Sequence, residues 1–465
     1  MKRTALLLLL ALLAVACDGA HEGRRDLLLI TVDTLRADRL GAYGSPLGLS
    51  PQLDTLAAES QVFTRAFSPA SYTLPAIISL LTGRQPDELG IRANVSVLRG
   101  GVPTLATQLW TQGWRTGAVV SNAILQKRVG IHVGFDRYDD EFPDWEKNRR
   151  VPERIAADTT DAALEMLAAL AADGDGAAPI FLWVHYQDPH GPYTPPDGYR
   201  ERYLEVERSA PDGLRQLPVD ESQVGDGGIP AYQQIGDSNE VAFYRAGYDG
   251  EIHYVDEQIG RLLRTVASGG SLADAVVVLT ADHGEGLGER DYWFAHGEYL
   301  TDPIVHIPLF VRAPGIGAGR RDDVASLVDL VPTLTRLVGA DTAGELPGRD
   351  LFAPDAASAA SRVLLTTGRI SAVPREGLIS GGYQYLVSMT DEGPRESLFR
   401  VGEREPELSA EHGEALGVLR AELLGLKQRY HAASEQLQSL DAKELEQLEA
   451  LGYVGQLKPI PEASR

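Results

Sequence analysis

Cys17 is the only cysteine in this 465-residue chain. Its isolation excludes disulfide staples, multi-cysteine zinc sites and iron–sulfur clusters together. Basic side chains are also short, with 43 Lys and Arg against 66 Asp and Glu, a formal charge of −23. Phosphate backbones are gripped by clustered Lys and Arg, so nucleic acid is excluded as the main partner. After the first seventeen residues no stretch is long and apolar enough to span a bilayer. Internal repeats are missing, and so are a G-x-S-x-G elbow and an H-E-x-x-H pair, which leaves serine-hydrolase and zincin readings without support. Gly284-Glu285-Gly286-Leu287-Gly288 fails the dinucleotide spacing because position 289 is Glu. What is present is globular: 43% hydrophobic and 23% charged residues, over a length that suits one large α/β domain and a smaller one.

The start of the chain reads as an export signal. Lys2 and Arg3 precede an apolar run, Ala5 to Val15, too short to span a bilayer comfortably. Ala14-Val15-Ala16-Cys17 then resembles a bacterial lipobox, whose cysteine is diacylated after cleavage, although its first position is more often Leu. A simple secretory signal cleaved near Ala16 is the alternative. The expectation is a signal peptide over 1–16 and a lipidated tether over 17–25. The protein would then be exported and held by Cys17 on the periplasmic face of a bacterial membrane. Asp18 resembles an inner-membrane retention signal, and the choice of membrane stays open.

Apolar runs at Leu27 to Val32, Gly117 to Val120, Ile180 to His185, Ala275 to Thr280 and Ile307 to Val311 predict strands buried on both faces. Helical stretches with capping signals lie between them: Ser50-Pro51 through Ala58, one opened by Thr104, Ala156 to Ala171, and Val241 to Val266. This alternation predicts an α/β fold over 26–340, a mostly parallel central sheet flanked by helices. Beyond Ala340, Val363 to Thr367, Gly377 to Val387 and Glu396 to Val401 predict a small C-terminal antiparallel subdomain within 341–432. Glu414 to Glu435 and Asp441 to Leu451 read as helices, the latter in a helical tail over 433–465. Tyr193 to Gln234 is long for a connection and reads as an active-site lid or insertion.

Chemistry-bearing residues gather where strands end. Asp33 follows the first strand, Asp188 and His190 follow FLWVHYQ, and Asp282-His283 follows AVVVLTA. In an open parallel sheet the carboxyl ends of strands share one edge, where ligands bind. Each residue has a bland alternative as a cap or turn. Three such sites at one edge favour a metal or catalytic cluster. Pro75 fits the first turn of a helix that stops at Gly83, which places Thr73 at or just before its N-terminus, where free N–H groups favour an anion. A plain N-cap is the alternative role for Thr73. A hydroxyl beside a metal cluster and an anion hole is what ester transfer to a side chain needs.

Eight stretches, among them "LLLITVDTLRADRLGAYG", "LPAIISLLTG", "FLWVHYQDPHGPYTPP", "TADHGEGLGE" and "AHGEYLTDPIVHIPLFVRAPG", resemble the sulfatase family of the alkaline phosphatase superfamily, in order, over nearly the whole mature chain. The resemblance implies an alkaline-phosphatase/sulfatase-like α/β core, one or two divalent metals, and transfer of sulfuryl or phosphoryl groups. By position it makes Asp33, Asp282 and His283 metal ligands, Thr73 the nucleophile, and His190 and His296 the histidines that contact the ester or protonate the leaving group. Asp188 would orient His190 or belong to a second metal site, while Arg36 and Lys127 are anion-binding candidates.

Three departures redirect the expected reaction. Most sulfatases carry Cys or Ser at the nucleophile position, oxidised to formylglycine, with Arg four residues on; here these are Thr73 and Ile77. Oxidising threonine gives a ketone, so formylglycine is excluded. Asp33 is followed by Thr34 where a second Asp is usual, and the later Asp-Asn pair is Asp282-His283. A sulfated threonine lacks the second hydroxyl whose collapse expels sulfate. A phosphorylated one is cleaved by metal-assisted attack, as related phosphodiesterases and lipid-headgroup transferases with threonine nucleophiles show. The expectation is a metal-dependent phosphoester hydrolase or transferase in which Thr73 joins Asp33, Asp282 and His283 around the ion. Zinc or manganese is favoured over calcium or magnesium by the imidazole ligand. A true sulfuric ester hydrolase and a non-catalytic glycan-binding lipoprotein are the alternatives. The expected partners are a small-molecule, lipid-headgroup or glycan ester and, through Cys17, the membrane.

Overall fold

The computed structural model describes residues 23–91, 93–98, 100–142, 153–173, 178–268, 274–353, 363–367, 373–402 and 412–429. The signal peptide, Cys17, most of the tether and the 433–465 tail therefore lie outside the described residues.

The central sheet has eight strands: β1 (Leu27–Val32), β2 (Gln61–Phe63), β3 (Arg115–Val120), β4 (Arg137–Asp139), β5 (Ile180–Tyr186), β6 (Val276–Ala281), β7 (Leu309–Arg312) and β8 (Gly319–Arg321). Across the sheet they run β8-β2-β7-β6-β1-β5-β3-β4, and only β7 is antiparallel to its neighbours. Every residue of β1, β5 and β6 is buried. That is why these strands read as unbroken apolar runs rather than alternating ones.

The helices gather into two packed sets. The long α6 (Val241–Ser268) contacts α1 (Pro51–Ala58), α4 (Ala156–Ala172) and α5 (Tyr199–Arg208), while α2 (Thr73–Thr82) and α3 (Leu105–Thr111) meet α7 (Leu330–Val338). Helix α5 and the buried Tyr193, Ile229 and Gln233 fill the stretch expected as a lid. It is a packed insertion, with the Gln233 amide N–H donating to the Phe294 carbonyl at 3.0 Å.

Two apolar runs divide differently from the sequence expectation. Ile307 to Val311 is split at Pro308: His306–Ile307 pairs with Ala66–Phe67 outside the main sheet, and β7 enters it. Proline lacks the N–H a continuous ladder needs. Gly377 to Val387, expected as one strand, is a hairpin of β10 (Arg375–Ser380) and β11 (Tyr383–Thr390). The turn residues Gly381 and Gly382 have φ of 58° and 83°, the left-handed pair that a two-residue hairpin loop requires.

With β9 (Val363–Thr366) and β12 (Gly393–Arg400), these strands form the C-terminal antiparallel sheet. Alternation sorts its faces. Val363, Leu365, Ile379, Leu386 and Phe399 pack against Tyr292, Leu300 and Ile304 of the large unit. Leu364, Leu378, Tyr385 and Leu398 receive Leu419, Leu423 and Leu426 of α8 (Gly413–Arg429), a single stripe of that helix. α8 is described as far as Arg429, and residues 430–435 of the expected helix lie outside the described residues.

Candidate active site

Strand register decides where the site forms. Val32 pairs with Tyr186 on one side and Ala281 on the other, so Asp33 and Asp282 leave the sheet side by side at its carboxyl edge. Asp33, Asp282 and His283 are fully buried, and one ligand atom from each lies within 4.8 Å of the others. His283 Nε2 stands 3.8 Å from Asp33 Oδ1 and 3.5 Å from Asp282 Oδ2. Its Nδ1–H donates to the Gly284 carbonyl at 3.0 Å, which turns the Nε2 lone pair toward the carboxylates.

The outer oxygens of both carboxylates are occupied. Asn122 Nδ2 donates to Asp33 Oδ2 at 2.6 Å, and the Thr34 and His283 amides donate to Asp282 Oδ1 at 3.2 and 2.8 Å. Asp33 Oδ1 and Asp282 Oδ2, the oxygens facing His283, have no hydrogen-bond donor among the described residues. Two unsatisfied buried carboxylate oxygens beside an imidazole lone pair are costly alone and suited to a divalent cation. The residues present therefore fit the metal that the fold implies. Burial, then repulsion from Asp33, pushes Asp282 up to about 6, and burial also raises Asp33. His283 is raised because the attraction of Asp282 and Asp33 outweighs the burial that would lower it.

Thr73 is the first residue of α2, with Tyr72 rather than Thr73 as the N-cap. Its Oγ1 instead lies 3.4 Å from His283 Nε2, at the mouth of the cluster. The anion hole at this helix is narrower than expected. Asn94 Oδ1 accepts the Leu74 N–H at 2.9 Å, Pro75 has none, and the Ala76 N–H bonds to Tyr72, which leaves the amide of Thr73 itself.

His190 and His296 complete the group, with ring centroids 5.1 Å apart and His296 4.4 Å from His283. Their backing differs. His190 Nδ1 is 2.8 Å from the Gly191 carbonyl, whereas His296 Nδ1 is 3.2 Å from Glu285 Oε1, and Tyr193 Oη donates to Glu285 Oε2 at 3.0 Å. Burial pushes His190 down to about 3 and lowers His296 as well.

Sequence reasoning missed Glu285, Asn122, Tyr193 and His185. The usable signal for Glu285 was its place in Asp282-His283-Gly284-Glu285, and for His185 an imidazole within an apolar strand. Trp183 Nε1–H donates to Thr31 Oγ1 at 2.9 Å, and that hydroxyl lies 2.8 Å from His185 Nδ1. His185 Nε2 stands 3.6 Å from Asp33 Oδ2. Three expected residues take other places. Arg36 is buried in ion pairs with Asp38 and Glu289, both at 2.8 Å, and donates to the Glu285 carbonyl, so its guanidinium is consumed within the protein. Lys127 is exposed and paired with Asp140 at 2.9 Å. Asp188 is buried at the end of β5 but outside the three-residue cluster.

Backbone strain marks the same place. Thr34 has φ of 54°, a β-branched residue in the left-handed region, at a cost of about 1–3 kcal/mol. Its amide on Asp282 and the Tyr248 hydroxyl on its carbonyl at 2.8 Å hold it there.

A buried Asp/Asp/His cluster at the carboxyl edge of a parallel sheet, with a hydroxyl presented by a helix start, defines a metal-dependent ester hydrolase of the alkaline phosphatase type. The family model described as Sulfatase matches residues 25–340, and the chain belongs to that family. Human iduronate 2-sulfatase is 28% identical over 389 residues, covering 68% of this chain and 69% of the relative. Choline-sulfatase of Rhizobium meliloti (strain 1021) is 27% identical over 354 residues, 68% of each chain. Among solved structures, the phosphonate monoester hydrolase of Silicibacter pomeroyi superposes with a TM-score of 0.69 at 21% identity, covering 90% of this chain and all (100%) of that one. Enzymes of the family use a divalent metal, and Asp33, Asp282 and His283 are the cluster here that suits one.

Proposed function

We propose that this enzyme cleaves or transfers phosphoesters, with phosphodiesters as its main substrates, through a covalent intermediate on Thr73. One observation carries the proposal: a threonine hydroxyl, which cannot become formylglycine, stands 3.4 Å from His283 Nε2 at the metal cluster. The fold does not choose the substrate, because its neighbours include both sulfatases and phosphonate monoester hydrolases. The residue at position 73 does.

Asp33, Asp282 and His283 would hold the ion, zinc or manganese by preference. When bound it supplies Lewis acidity, easing loss of the hydroxyl proton and polarising the ester oxygens. Thr73 Oγ1 attacks phosphorus in line, the Thr73–O–P bond forms, and the ester P–O bond to the leaving group breaks. The Thr73 N–H holds one non-bridging oxygen. The Thr73 hydroxyl proton passes to His296, which is neutral and steadied through Nδ1 by Glu285; His296 then delivers that proton to the leaving oxygen, and His190 hydrogen-bonds the ester. Water or an acceptor alcohol then attacks the same phosphorus and returns the threonine hydroxyl.

The deciding test is turnover of aryl phosphodiester, aryl phosphomonoester and aryl sulfate with added zinc, manganese or calcium. Phosphodiester turnover well above sulfate turnover is the expected result, and sulfate as the preferred ester overturns the reading. Glu285→Gln is expected to lower kcat about 10²–10³-fold with KM little changed, the scale of a lost general acid–base group. A substrate with an activated leaving group, needing no proton, should recover most of that loss.

Export and anchoring through Cys17 belong to the same proposal. Metabolic labelling of the full chain with a radioactive fatty acid should mark the wild type and not Cys17→Ser; equal labelling would remove the anchor.

A further inference from the structure

A second cavity lies where the C-terminal sheet meets the large unit, and its electrostatics run against the rest of the molecule. It encloses about 280 Å³ and is lined by Arg290, Arg375, Arg395, Ser388, Ser397 and Thr301, with Tyr299 and Phe399 in its wall. None of its described lining residues carries a carboxylate, in a chain whose formal charge is −23. A cavity lined by arginines stands against the general field of so acidic a protein.

Strand geometry builds it. On β11 and β12, Ser388 lies opposite Arg395 and Leu386 opposite Ser397, so these side chains share the sheet face that looks toward the large unit. The inner part of that face is apolar, with Leu386 and Phe399 in the interface core. Its outer part switches to Ser388, Arg395 and Ser397, although an interface face would ordinarily stay apolar to its edge. Arg375, opposite Ser388 on β10, lies on the same face, and Arg290 comes from the large unit. The Arg290 guanidinium lies over the Phe399 ring at 5.0 Å, and that of Arg375 over Tyr299 at 4.3 Å. Arg375 is tied to Glu298, donating to its carbonyl and standing 3.7 Å from its carboxylate, so its charge is already met. Arg290 and Arg395 are exposed, and neither has a carboxylate within ion-pair distance among the described residues. Arg290 also sits at φ 59°, in the left-handed region.

We propose that this cavity is an anion-binding site for a tetrahedral oxyanion, a sulfate or phosphate group, separate from the metal cluster. Arg290 and Arg395 supply the charge, and the Ser388, Ser397 and Thr301 hydroxyls supply neutral donors. The matching of planar guanidinium donors to such oxygens is what makes arginine the fitting residue here. The proposal does not depend on Thr73 or on which ester is cleaved there.

Calorimetric titration of the full chain with inorganic sulfate tests it, glucose 6-sulfate being titrated beside it to separate a free ion from an ester group carried on a sugar. Arg290→Gln with Arg395→Gln is expected to weaken one binding event at least tenfold, while Thr73→Ala leaves that event in place. Ser397→Asp, which puts a carboxylate among the arginines without removing one, should abolish the same event and covers the case in which the double variant misfolds. Sulfate and glucose 6-sulfate isotherms identical in wild type, the double variant and Ser397→Asp would overturn the site. Tighter binding of the sugar ester than of the ion assigns the site to a substituent of a larger ligand. The reverse order assigns it to the free ion.

Discussion

Thr73→Ala is expected to remove phosphodiester turnover almost completely, by about 10³-fold or more in kcat, while metal content and thermal stability stay near those of wild type. The size follows from losing the attacking atom itself, since the metal cluster and its neighbours retain only the catalysis that positioning and charge provide. Stability should barely move because the Thr73 hydroxyl makes one long contact, 3.4 Å to His283, and its removal leaves no buried donor stranded. Thr73→Ser keeps a hydroxyl at the same helix position and should keep substantial turnover. A rapid-quench experiment on wild type should trap the substrate's phosphoryl group on the peptide containing Thr73, and Thr73→Ala should trap none. Turnover by Thr73→Ala at the wild-type rate would mean that water attacks directly and that the covalent route is wrong.

What could be read beforehand depended on how locally each feature is encoded. The parallel core announced itself because β1, β5 and β6 are buried on both faces and leave unbroken apolar runs. The short strands β2, β4 and β8 are three residues long and carry no such signal. The Gly381-Gly382 turn was present in the sequence but lost inside a longer apolar segment. Asp33, Asp282 and His283 were legible because strand ends in an open sheet must share an edge. Glu285, Asn122 and His185 were not, since each acts on a neighbour rather than on a ligand, and only the folded register brings Asn122 to Asp33. Arg36 shows the opposite error. Its charge suggested anion binding, but Asp38, two residues away, and Glu289, far away in sequence, consume it.

Asp282→Asn carries the second large effect, and it separates metal chemistry from nucleophile chemistry. Removing one of three ligands should lower metal affinity by at least 100-fold and bring activity to background, with Thr73 intact. The same substitution should change stability in a pH-dependent way. In the metal-free protein Asp282 has a folded-state pKa of about 6, above its ordinary value of 3.8, because burial and Asp33 oppose its charge. The folded state then binds more protons than the unfolded chain between those two values, so this group's contribution to stability falls as pH rises through the window. Asparagine cannot titrate. The stability of metal-free wild type relative to Asp282→Asn should therefore decline from about pH 4 to 6 and level off above, as followed by urea unfolding at fixed ionic strength. Adding zinc should reverse that decline in wild type, because an ion held by Asp33, Asp282 and His283 would stabilise the ionised carboxylates, and tight binding at 1,000 times Kd adds about 4 kcal/mol. At the same zinc concentration Asp282→Asn, binding at least 100-fold more weakly, should gain no more than about 1.4 kcal/mol. Equal stabilisation of both proteins by metal would place the ion elsewhere and detach Asp33, Asp282 and His283 from the chemistry altogether.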